Sequence, residues 1–178
     1  MPLVLNSSSI SGLAAVGGLS SPQTGSVLQV VQVVKTDAFS TTSTSFVDVT
    51  GMSASITPTS SSSKILVLFD IAIGAANGSS TIGKILRNST DIYIGDTAGS
   101  RPRVAFQLDG GGGIQYTVLR TPIFYLDSPA TTSSTTYKLQ IYNTAGSAGT
   151  VNRVEQDRNT SSYDVRTASS ITLMEIAA

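Results

Sequence analysis

The 178 residues contain no histidine, no cysteine and no tryptophan, and only 12% of them are charged. Histidine is the commonest general base near neutral pH and, with cysteine, the usual ligand of zinc, so most catalytic and metal chemistries lose their ordinary carriers. Without cysteine there is no disulfide, and the fold is indifferent to redox compartment. Eleven basic and eleven acidic residues give a formal net charge of +0, against roughly 25% charged residues in an average domain. Such a surface does not compete for a phosphate backbone by counterion release, nor for anionic lipid. It is also poorly protected from association by charge, which suits a chain packed into an assembly. Long apolar runs are missing too: Leu13–Leu19 is far short of the ~20 residues of a membrane span. Met1–Leu5 is apolar, but no Lys or Arg precedes it and Asn6–Ser9 breaks it at once, unlike a secretory signal.

What the chain does have, from Val27 onward, is short β-type runs separated by clusters of Ser, Thr and Gly. Val27–Lys35 is rich in valine with glutamines spaced among them, and Phe46–Val49 and Ser53–Thr57 follow a Ser/Thr cluster. After Pro58 and the serines to Ser63 comes Lys64–Ile73, a near-continuous apolar run expected to form a central strand buried on both faces. Further strands are expected at Ile82–Leu86, Ile92–Ile94, Val104–Leu108, Gln115–Leu119, Pro122–Leu126, Tyr137–Tyr142, Val151–Val154 and Ile171–Ile176. Outside the N-terminal segment no stretch has the period of an amphipathic helix of ordinary length. This spacing predicts an all-β fold. Long connections mixed with short hairpins favour an antiparallel jelly-roll-type β-sandwich over residues 27–178.

The first 26 residues differ. They carry no charge, are dense in Gly and Ser, and hold Leu3, Leu5, Ile10 and Leu13 among other apolar side chains. A solvated, disordered tail is one reading. The other is an attachment arm that orders on another subunit, with Leu3, Leu5, Ile10 and Leu13 as the partner-docking anchors, because the segment is too apolar for an ordinary linker.

Candidate chemistry is thin. Gly110–Gly113 lacks the Lys-Ser/Thr ending of a phosphate loop and reads as a hairpin tip between Val104–Leu108 and Gln115–Leu119. Asp157-Arg158-Asn159 with Asp164-Val165-Arg166 gathers oxygen donors, but the spacing is not that of a calcium loop, and the interleaved arginines point to ion pairs across a turn. Arg101-Pro102-Arg103 reads as a solvated loop or an intersubunit pair rather than an anion hook. Asn77-Gly78-Ser79 and Asn88-Ser89-Thr90 match glycosylation acceptors, triplets that a Ser/Thr-rich chain produces by chance. A serine nucleophile without histidine needs a lysine base, and of Lys35, Lys64, Lys84 and Lys138 only Lys64 has a serine three residues before it, Ser61, inside the serine run that breaks the chain before the next strand. A carboxylate pair for glycoside cleavage is a matter of spatial separation, which sequence does not supply. The chain is therefore expected not to be an enzyme: no catalytic residue, no cofactor and no metal are assigned.

Several segments together resemble small virion structural proteins of tailed bacteriophages, notably those of aquatic and cyanobacterial hosts. They are Met1–Leu13, Leu86–Thr90 running to Ile94–Arg101, Leu126–Pro129 before Thr135–Tyr137, and Ser170–Ile176. The resemblance implies trimeric jelly-roll-like domains used as capsid decoration (cement) proteins or as tail-fibre tips, and it brings no catalytic residue. It leads to the expectation of a homotrimer at the virion surface, assembled in the host cytoplasm. Its other partners would be virion proteins: the major capsid protein, or tail proteins in the fibre alternative. Neither nucleic acid nor membrane insertion is expected.

Overall fold

The computed structural model describes residues 22–159 and 162–178. Among these, eleven strands form two antiparallel sheets: β1 (Val27–Lys35), β2 (Phe39–Thr41), β3 (Val47–Ile56), β4 (Lys64–Ala75), β5 (Ser80–Arg87), β6 (Thr90–Ile92), β7 (Phe106–Asp109), β8 (Leu119–Asp127), β9 (Thr135–Asn143), β10 (Gly149–Val151) and β11 (Ser169–Ile176). In the first sheet β4 pairs with β8 along one side, and with β11 and then β10 end to end along the other; β1 lies outside β11 and β2 outside β10. In the second, β9 lies between β3 and β5, and β6 and β7 share the far side of β5.

β1/β2, β6/β7 and β10/β11 each act as one interrupted strand, so eight strands remain. They pair first with last (β1 with β11), second with seventh (β3 with β9), third with sixth (β4 with β8), and fourth with fifth (β5 with β6/β7). That is a long hairpin rolled on itself, the jelly-roll order. The expected fold class is what the chain adopts.

The core follows from strand alternation. β9 buries Thr135, Tyr137, Leu139, Ile141 and Asn143 and leaves the residues between them half-buried. From the facing sheet come Ile65, Val67 and Phe69 of β4, and Ile171 and Leu173 of β11. Gly83 makes room for an aromatic: a Cβ there would fall 2.1 Å from the Phe106 ring.

Several sequence expectations need correction. Lys64–Ile73 is not buried on both faces throughout; β4 alternates as far as Asp70 and is buried at every position only from Ile71 to Ala75. Gln115–Leu119 is not a strand. Ile114–Tyr116 is a 3₁₀ turn, and the next strand begins at Leu119. Gly110–Gly113 is accordingly no hairpin tip, since β7 and β8 lie in different sheets. The glycine there is needed for close approach: a Cβ on Gly110 would sit 1.9 Å from the Ser79 carbonyl oxygen and 2.1 Å from that of Ala76. The expected strand Ile92–Ile94 stops at Ile92, because Tyr93 turns to φ 52°, and Val151–Val154 stops at Val151, because Asn152 turns to φ 64°. No period in the sequence reports a single left-handed residue.

Candidate functional site

The two sheets differ sharply on their outer faces. Outside the β3–β9–β5 sheet most pairs are polar: Lys138 and Gln140 donate to Asp48 at 2.9 and 2.7 Å, Ser55 meets Thr136 at 2.7 Å, and Lys84 pairs with Asp91 at 2.9 Å while lying over the ring of Phe46, which packs on Tyr142. A solvated outer face of an antiparallel sheet is ordinarily built this way. The outer face of the other sheet is apolar. Its registers align Val30, Met174, Leu66 and Leu126 in one row across four strands, and Gln32, Thr172, Leu68 and Phe124 in the next. Phe124 is 66% exposed, Val30 55% and Leu126 54%. Arg120, paired with Asp70 at 3.1 Å, and Lys64, donating to Ser128 at 2.8 Å, frame the patch at its two ends. The sequence concealed this surface, because the outward residues of β4 and β8 read as part of continuous core-like runs.

A second feature is a cleft of about 880 Å³ where the free edges of the two sheets meet. It is lined by Arg87, residues 90–95, Val104 and Ala105 on one side, and by Tyr125, Asp127 and Ser128 on the other. The Tyr93 and Tyr125 rings lean together, centroids 5.7 Å apart and tilted by 56°. The floor is a polar clasp between sheets: Arg87 Nη1 donates to both Asp127 oxygens at 2.8 and 2.9 Å, and the Tyr137 hydroxyl donates to Asp127 Oδ2 at 2.6 Å. Burial, and then the bond to the Asp127 carboxylate, push the Tyr137 hydroxyl far above the usual phenol range.

In the same register row as Asp127 lie Ile65, Glu175 and Gln29, and Glu175 is fully buried. Burial alone would raise its pKa. Hydrogen bonds from Gln29 Nε2 at 2.6 Å, and from the backbone N–H and hydroxyl of Thr59 at 2.7 Å each, outweigh that and hold it at about 2. The loop before β4 is thereby clamped over one end of the sandwich.

Asn152 joins the interrupted strands. Its Nδ2 donates to the carbonyls of Lys35 at 2.8 Å and Asp37 at 2.9 Å, and its Oδ1 accepts from Ser169 at 2.6 Å.

The anchors expected from sequence, Leu3, Leu5, Ile10 and Leu13, lie outside the described residues. At the foot of that segment, Gly25 N–H donates to the Ala177 carbonyl at 2.7 Å and Ala177 N–H to Ser26 at 2.9 Å, so residues 25–26 extend the β1–β11 ladder. In the 157–166 loop the carboxylates are taken by arginines: Arg158 binds Asp164 at 2.9 Å, and Arg153 and Arg166 both pair with Asp157. Among the described residues no group of three or more acidic side chains is placed to hold a metal ion. Arg103 caps a loop, donating to the Gly95 carbonyl at 2.6 Å. All four lysines have partners: Asp37 for Lys35, Ser128 for Lys64, Asp91 for Lys84 and Asp48 for Lys138. The Lys64–Ser128 contact lies on the solvated margin of the sheet and ties β4 to the end of β8.

No protein-family model matches the chain, and no curated protein matches it. Solved structures that overlap it include several from infectious bursal disease virus. For the Gx strain the TM-score is 0.42 at 12% identity, covering 87% of this chain and 43% of that one. For the VP2 subviral particle it is 0.40 at 11%, covering 84% and 41%, and for T=1 particles derived from the virus 0.42 at 14%, covering 84% and 36%. The chain thus spans less than half the length of these proteins. What the topology itself defines is a jelly-roll β-sandwich with one outer face left apolar.

Proposed function

We propose that this is a non-enzymatic virion structural protein of the tailed-bacteriophage type: a trimeric capsid decoration (cement) protein attached through residues 1–26. The observation that carries the reading is the contrast between the two outer faces. A jelly roll living alone in solvent has no use for Val30, Leu66, Leu68, Phe124, Leu126 and Met174 side by side on one sheet, whereas one packed against copies of itself does. The near absence of net charge and the resemblance of the sequence segments to phage virion proteins support the same conclusion.

In this reading the arm docks on the major capsid protein, with Leu3, Leu5, Ile10 and Leu13 as anchors. Burying one leucine contributes roughly 1.5–3 kcal/mol, while ordering backbone costs about 1–2 kcal/mol per residue. Backbone hydrogen bonds by strand addition to the partner complete the attachment. The protein then sits at the virion surface after assembly in the host cytoplasm. A tail-fibre or receptor-binding role is the second reading, and the cleft between the sheet edges is what favours it.

The test is copy number in purified particles, together with rebinding of a chain lacking residues 1–20 to particles stripped of the protein. Hundreds of copies, and a truncated chain that folds and trimerises but fails to bind, are the expected results. A few copies per particle moves the protein to the tail. Rebinding equal to that of the full chain overturns the role of the arm.

A further inference from the structure

We propose that the cleft between the β6 and β8 edges, where the Tyr93 and Tyr125 rings stand over the Arg87–Asp127 pair, is a binding site for a neutral pyranoside sugar. A pyranose presents an apolar C–H face flanked by hydroxyl groups. Its receptor needs aromatic surface and rigid donors and acceptors in the same concavity, without net charge. The cleft supplies each. Tyr93 is 46% exposed and Tyr125 half-buried, so the tilted pair offers ring surface to the opening.

Donors remain uncommitted. Arg87 spends Nη1 on Asp127 and Ser128, which leaves Nε and Nη2 without hydrogen bonds among the described residues. The same holds for the hydroxyls of Tyr93 and Tyr125. Arg87 is held in place: its partner Asp127 is buried, and the Tyr137 hydroxyl fixes the same carboxylate. Preorganisation of this kind limits the entropy lost on binding.

Charge decides which sugar. Arg87, the one cation of the lining, is balanced by Asp127, and Asp91 is paired at 2.9 Å with Lys84 from outside the lining, so the cleft has no surplus positive charge with which to select a sialic acid, a sulfate or a phosphate. The backbone gives a separate reason to look here. Tyr93 is held at φ 52°, where glycine or asparagine would be far more at ease. Such strain at a bulky, half-exposed residue is characteristic of ligand sites. This inference is independent of whether the protein sits on the capsid or the tail.

The experiment is a titration of the ¹⁵N-labelled full chain with methyl glycosides of glucose, galactose, mannose and N-acetylglucosamine, with sialic acid as the anionic comparison. At least one neutral glycoside should shift the amide resonances of residues 87–95 and 125–128, with a Kd on the order of 1 mM. Two variants locate the site. Tyr93→Asn removes the ring while suiting the backbone, so it should keep or raise the Tm and weaken binding about tenfold or more. Arg87→Lys keeps the charge opposite Asp127 but loses the planar donors, and should also weaken binding. The proposal is overturned if no neutral glycoside shifts these resonances, if sialic acid alone binds, or if both variants bind as the native chain does. It is overturned as well if Tyr93→Asn abolishes self-association while sugars have no effect, which would make the cleft a contact between copies.

Discussion

Tyr137 and Asp127 meet across the sandwich, the phenol of a β9 residue donating at 2.6 Å to a buried carboxylate at the end of β8. With the Arg87–Asp127 pair beside it, this bond fixes the two sheets in one relative position where most of their contact is apolar. Replacing Tyr137 by Phe keeps the ring in the core and removes only this bond. A hydrogen bond to a charged group is worth about 1.5–3 kcal/mol, and urea denaturation of Tyr137→Phe should show a loss in that range. A loss below measurement error would mean that Arg87 alone satisfies Asp127.

Glu175 makes stability depend on acid. Its carboxyl titrates at about 2 in the folded protein against an ordinary value of 4.5. A depressed carboxylate contributes stability that is fully present above pH 4.5, declines as pH falls below that value, and is gone below about pH 2. The contribution is on the order of 3 kcal/mol. Denaturation midpoints measured between pH 2 and pH 7 should fall steeply toward acid in the native chain, and less steeply in Glu175→Gln, whose amide does not titrate. Parallel pH profiles would show that the clamp with Thr59 and Gln29 is not what responds.

Asn152 is irreplaceable by its closest analogue. Its amide donates to two carbonyl oxygens, so Asn152→Asp would set a carboxylate oxygen against both. A buried acceptor without a donor costs about 1–3 kcal/mol, and more when charged. The variant should be destabilised relative to the native chain, and more so at neutral pH than at pH 4. Circular dichroism melts at the two pH values are the measurement. Equal destabilisation at both would show that the charge is not the cause.

Neighbouring glycines should behave in opposite ways. Gly110→Ala drives a methyl group into two backbone carbonyls that cannot swing aside, and should cost about 2–4 kcal/mol. Gly111→Ala, with nothing within 4 Å of the new Cβ, should stay within about 0.5 kcal/mol of the native chain. Thermal melts of the pair check both.

The apolar face has its own signature. Phe124→Lys and Leu126→Lys place charge on outward-facing, exposed positions of β8. Both variants should keep the β-type far-ultraviolet spectrum and the native Tm of the isolated domain, yet sediment as smaller species than the native chain. Sedimentation identical to the native chain would show that association uses another surface.

Local alternation and breakers were enough for the fold class and the long strands: Val27–Lys35, Tyr137–Tyr142 and Ile171–Ile176 lie in strands where their pattern placed them, whereas the three-residue strand Phe39–Thr41 carried no such pattern. Only the tertiary structure decided the surfaces. Leu66 and Val67 are equally apolar in the chain, yet β4 sends Val67 into the core and Leu66 outward beside Leu126. The assignment depends on where β8 pairs, more than fifty residues on. The cleft is further still from local control. Arg87, Tyr93, Tyr125 and Asp127 come from strands and a loop of two different sheets and line one cleft only once the sheets are packed. Side-chain period along a strand is fixed by its own covalent geometry, whereas the facing of a strand and the closure of a site are fixed by partners distant in the chain.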